Sequence, residues 1–100
     1  MDTKEEILHF LTENKEYLLN RYHLSKIGLF GSFAKGKANT NSDVDIIFDF
    51  KDNSILDVYT IKLELKNYLS SKFDRDVDLA REKYLKPYAK DEILKSVIYV

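Results

Sequence analysis

A chain of 100 residues has room for one small hydrophobic core. Its 44% hydrophobic and 33% charged residues, with three Gly and one Pro, describe an ordinary folded domain and exclude a low-complexity or disordered chain. The formal charge of −1 leaves no broad basic footprint for nucleic acid, and the lack of cysteine excludes a disulfide framework and a thiolate zinc site.

No apolar run approaches the roughly 20 residues of a membrane span, and the charged start MDTKEEILHF is not a signal peptide. The expectation is a single domain over residues 1–100, cytoplasmic, with no membrane partner and no direct nucleic-acid partner. Thr3 followed by Glu6 reads as a capping box. Ile7, Phe10, Leu11, Leu18 and Tyr22 recur at helical spacing, predicting one helix of about five turns. From Lys26 the run KIGLF predicts a buried strand that stops at Gly31. KGKANTNS, residues 35–42, is polar and turn-rich.

DVDIIFDF then alternates, with Val44, Ile46, Phe48 and Phe50 on one face and Asp43, Asp45, Ile47 and Asp49 on the other. After the turn-like KDNS, the spacing of Val58, Ile61, Leu65, Tyr68 and Leu69 predicts a second long helix over 55–72. RDVDLA predicts a short strand with Val77 and Leu79 toward the core and Asp76 and Asp78 opposite. Pro87 suits the first turn of a last helix carrying Ile93, Leu94 and Val97, while the terminal VIYV suits an edge strand. Alternating helices and strands give an α/β (α+β) layer fold, a small mixed sheet of three or four strands packed with helices.

Asp43 and Asp45 emerge on the same side of their strand, about 6–7 Å apart at Cα, within reach of one metal ion. A neighbouring RDVDLA strand would add Asp78 or Asp76, and alternation alone does not choose between them. Carboxylates this close repel unless protons or a divalent cation compensate, and Mg²⁺ suits a few carboxylates completed by water and phosphate oxygens. Gly31-Ser32, at the strand end, offers backbone N–H groups and a hydroxyl to an anion, with Lys35 or Lys37 supplying positive charge.

A P-loop is the competing motif. Residues 31–37 fit its first seven positions, but Ala38 lacks the metal-binding hydroxyl and the turn-like NTNSD leaves no long helix. A calcium loop fails because Ile47 occupies the place of an oxygen ligand. Solvation alone can make a strand face acidic, yet Asp is a poor strand former, so two acidic pairs in two strands are better explained by a ligand. Asp49 and Asp76 read as surface or supporting residues. His9 and His23 lack metal-ligand spacing, and Tyr99 lies in an apolar tail suited to a partner-binding patch.

The run GLFGSFAKGKANTNSDVDIIFDF resembles the signature of the minimal nucleotidyltransferases of the polymerase-β-like superfamily: Gly-Ser, then Asp-hydrophobic-Asp, then a third Asp on a later strand. The resemblance covers nearly the whole chain. It implies the nucleotidyltransferase fold, with Asp43, Asp45 and Asp78 as catalytic metal ligands for two Mg²⁺ ions. Gly31, Ser32, Lys35 and Ser42 form the expected nucleotide-binding set, with ATP as the substrate. Lys35 stands where the family often has Arg, a point charge in place of a bidentate fork. The resemblance further implies the antitoxin half of a HEPN/MNT toxin–antitoxin pair. Such an antitoxin would transfer AMP to a tyrosine of a HEPN-domain toxin, or alternatively neutralise that partner by binding alone.

Overall fold

The computed structural model describes residues 1–52 and 57–100. The end of the KDNS turn and the expected start of the second long helix at residue 55 lie outside the described residues. A four-stranded mixed sheet runs β3-β2-β1-β4, with β1 at Leu24–Phe30, β2 at Val44–Phe50, β3 at Val77–Arg81 and β4 at Ile98–Tyr99. β1 pairs antiparallel with both β2 and β4, whereas β2 and β3 are parallel. A parallel pair needs a crossover rather than a hairpin. The helix at Val58–Phe73 lies in that connection, capped by Asp57, whose carboxylate accepts the Thr60 N–H at 3.0 Å.

The strand register sorts the side chains. Ile27 and Leu29 lie opposite Phe48 and Ile46, and Val44 lies opposite Val77, all fully buried. Ile7, Leu11, Leu18, Leu65, Leu69 and Phe73 from the covering helices join the same core at 0% exposure. Burying each such side chain contributes about 1.5–3 kcal/mol. The other face carries Asp45, Ile47 and Asp49 on β2, beside Phe30, Gly28 and Lys26 on β1. The expected alternation is therefore present, with Ile47 buried on the acidic face and outside the main core cluster.

Where one helix of about five turns was expected, the chain forms α1 (Lys4–Glu13) and α2 (Lys15–Arg21). Asn14 makes the break. Its side-chain amide donates to the Phe10 carbonyl at 2.9 Å, in competition with the regular ladder, and its backbone sits at φ −108°, ψ 12°. The capping box forms as expected, with Thr3 Oγ1 accepting the Glu6 N–H at 3.1 Å. With α3 at Gly31–Ala34, the long crossover helix is α4 and the helix from Pro87 to Ser96 is α5. Both C-terminal alternatives are realised, because α5 stops at Ser96 and Val97 leads into edge strand β4.

Candidate active site

β1 delivers Phe30 opposite Asp45, and the next residue turns sharply. Gly31 adopts φ +73°, a left-handed conformation open to glycine at little cost. A Cβ there would stand 2.0 Å from Asp45 Oδ2. The glycine expected to admit a phosphate thus also admits a carboxylate of the neighbouring strand. From this turn α3 begins, so its first N–H groups lack intrahelical acceptors. Ser32, half-buried, is its second residue.

The parallel register sets Asp78 directly beside Asp45. Asp43 precedes β2, between Ser42 and Val44, and both Asp43 and Asp78 are exposed while Asp45 is half-buried. Burial raises the Asp45 carboxyl above its usual range, and the charges of Asp78 and Asp43 push it further in the same direction. Asp45 is therefore the carboxyl on which the charges of Asp78 and Asp43 act. Asp76, the alternative third member, precedes β3 and joins the strands through its backbone, its carbonyl accepting the Val44 N–H at 2.9 Å.

Among the described residues, no group of three or more acidic or imidazole side chains is placed to hold a metal ion. Mg²⁺ does not require one, since it retains water and takes substrate oxygens. Asp45, with Asp78 beside it in register and the charge of Asp43 acting on it, is the hard oxygen donor around which such an ion would have to be completed by water and substrate oxygens.

Lys35 follows α3 and is exposed. With Phe30, Gly31, Glu92, Ile93 and Ser96 it lines a cleft of about 160 Å³. The contribution of α5 to this wall has no sequence signature, because Glu92 and Ser96 are ordinary helix-surface residues until the fold brings them to the Gly31 turn. Ser42 is committed to the loop ahead of Asp43: its hydroxyl accepts the Asn39 N–H at 2.9 Å, and the Arg75 guanidinium holds its carbonyl. Arg75 was not legible as a site residue, since a lone arginine before a strand carries no motif.

Asp49 joins β2 to the end of β3 and the turn after it. It accepts from Arg81 Nε at 2.8 Å and from the Phe50 and Lys83 N–H groups. Burial alone would raise its carboxyl, but these bonds together hold it below the usual range. The Tyr99 hydroxyl donates to Glu82 while its ring lies against Gly28 and beneath Lys26 Nζ, so it covers the acidic face of the sheet. No helix among the described residues is long and apolar enough to cross a membrane.

The family model for the nucleotidyltransferase domain matches residues 10–100. The protein adenylyltransferase MntA of Thermococcus cleftensis is 38% identical over 100 residues, covering 100% of this chain and 98% of its own. Among solved structures, a toxin–antitoxin crystal structure with AMP-PNP superposes with a TM-score of 0.69 at 27% identity, covering 87% of this chain and 69% of that one. The complex of a tri-AMPylated Shewanella oneidensis HEPN toxin with its MNT antitoxin superposes at 0.60 with 27% identity, covering 89% and 68%. A Gly-Ser turn packed against Asp45, a domain match over most of the chain and a relative covered over nearly its whole length lead to one assignment: the chain belongs to the nucleotidyltransferase domain family and is a nucleotidyltransferase.

Proposed function

We propose that this chain transfers AMP from ATP, with Mg²⁺, to a tyrosine hydroxyl of a HEPN-domain toxin in the cytoplasm, and so acts as its antitoxin. The observation that carries the proposal is the coupling of Asp45 to Asp78 and Asp43 directly against the Gly31 turn. Support for the acceptor comes from the relatives, one a protein adenylyltransferase and one bound to an AMPylated HEPN toxin.

In the reaction the tyrosine oxygen forms a bond to the α-phosphorus, the bond from that phosphorus to the bridging oxygen breaks, pyrophosphate leaves, and the phenolic proton is lost to solvent. Asp43, Asp45 and Asp78 would hold Mg²⁺, which would supply Lewis acidity toward the acceptor hydroxyl and the departing pyrophosphate when bound. The Gly31 turn leaves the first N–H groups of α3 without intrahelical acceptors and so open to phosphate oxygens, to which the Ser32 hydroxyl also donates. Lys35 neutralises phosphate charge as a point cation. Exposed Asp78 leaves one side of the cluster open to an acceptor on another protein.

The test is transfer of label from α-labelled ATP with Mg²⁺ to the co-purifying partner, with Asp43→Ala/Asp45→Ala as control. Label on a partner tyrosine that disappears in the double variant is expected. No label, with the partner still bound and inhibited, would make the chain a binding-only antitoxin.

A further inference from the structure

Asp43 lies outside any strand, at the end of a polar loop, yet a metal ligand must be held to a fraction of an ångström. The loop makes one turn of its own, in which Asn39 Oδ1 accepts the Asn41 N–H at 2.8 Å and Ser42 N–H donates to the Asn39 carbonyl at 3.1 Å. The Ser42 hydroxyl closes it by accepting the Asn39 N–H at 2.9 Å, and Arg75 ties it to the rest of the molecule. This side chain is 9% exposed. Its Nη1 donates to the carbonyls of Asn39 at 3.2 Å, Thr40 at 3.1 Å and Ser42 at 3.0 Å. Its Nε donates to the Met1 carbonyl at 2.9 Å, and Nη2 pairs with Asp2 at 3.0 Å. The guanidinium also lies 5.1 Å from the ring centre of Phe33, in α3, the helix that opens with Gly31-Ser32.

One largely sheltered cation thus touches both halves of the site. On one side it grips the three carbonyls leading into Asp43, and the next residue of its own chain, Asp76, bonds Val44 just beyond. On the other it packs against the helix carrying the phosphate turn. A lysine could not do the same, because a single ammonium lacks the planar fork that spans the Met1 carbonyl, the loop and the Phe33 ring together.

We propose that Arg75 is a positioning residue that sets the spacing between Asp43 and the Gly31-Ser32 turn, and with it the geometry in which metal and triphosphate are held. The inference rests on the reading that Asp43 and this turn serve one nucleotide. It is tested with C-terminally tagged Arg75→Met, Arg75→Lys and, as a control that removes only the exposed ion pair, Asp2→Ala. Measurements are made well below each variant's melting temperature, with the folded fraction checked by circular dichroism.

Arg75→Met is expected to lower kcat for label transfer on the order of 100-fold, the scale of a small misplacement, and to weaken binding of Mn²⁺ with a non-hydrolysable ATP analogue on the order of 10-fold. Arg75→Lys should recover part of both losses and Asp2→Ala should retain nearly all activity. Folded Arg75→Met with wild-type kcat and Mn²⁺ affinity overturns the proposal, as does a loss that follows only the unfolded fraction. If wild-type protein transfers no label, the functional reading fails, while the comparison of Mn²⁺ affinities still decides the role of Arg75.

Discussion

Gly31 and Asp45 occupy one small volume and neither tolerates much change in the other. The turn needs φ +73°, and the space where a Cβ would project is filled by Oδ2 of Asp45. Gly31→Ala therefore adds a left-handed backbone cost of about 1–2 kcal/mol and also displaces a carboxylate that the proposed chemistry uses. Transfer is expected to fall on the order of 100-fold with the fold retained, because the main core lies on the opposite face of the sheet. Parallel thermal melts and label-transfer assays check both halves of this expectation. The identity of Gly31 was readable from the sequence, but its fuller reason was not. A phosphate cradle explained the glycine, whereas the close carboxylate depends on pairing Phe30 with Asp45, and register is a property of two strands.

At the scale of elements, the strands were the most legible because alternation fixes which residues share a face once one face is buried. Val44, Ile46 and Phe48 against Asp45 and Asp49 needed no structure to sort. The first helix was less legible, since its apolar spacing continues through Asn14 and only the side-chain bond to Phe10 reveals the break. The Asp49–Arg81 pair, which ties β2 to the end of β3, was also hidden, because neither residue advertises its partner. With side chains 19% and 9% exposed, the pair is sheltered enough to matter. Asp49→Asn should destabilise the protein by about 1–2 kcal/mol at neutral pH, between the values for an exposed and a fully buried pair. The folded carboxyl is held below its ordinary value of 3.8, so its contribution is present above that pH and lost as pH falls through the lowered folded value. The gap between wild type and variant in urea unfolding should therefore be full at pH 7 and narrow on acidification below 3.8.

For the molecule as a whole, the active site works against stability. Asp45 has its carboxyl raised by burial and by Asp78 and Asp43, so the folded state holds that proton more tightly than the unfolded chain does. The sign is opposite to that of Asp49: folding is favoured while Asp45 is protonated, and this contribution is lost as pH rises from 3.8 through the elevated folded value. At neutral pH without ligand, Asp45→Asn removes one of three repelling charges and should raise Tm by a few degrees, about 1 kcal/mol corresponding to roughly 4–8 °C in a domain of this size. Ligand reverses the order. On the proposed reading, Mg²⁺ with a non-hydrolysable ATP analogue at about 100 times its Kd should add roughly 2.7 kcal/mol to the wild type, but little to a variant lacking the Asp45 carboxylate. The two melting curves, measured as a function of Mg²⁺ and nucleotide, should therefore cross, with the variant more stable at zero ligand and less stable at saturation. Parallel curves would mean that Asp45 does not contribute to nucleotide-linked metal binding, and a variant less stable than wild type without ligand would mean that Asp45 supports the fold as well as the site.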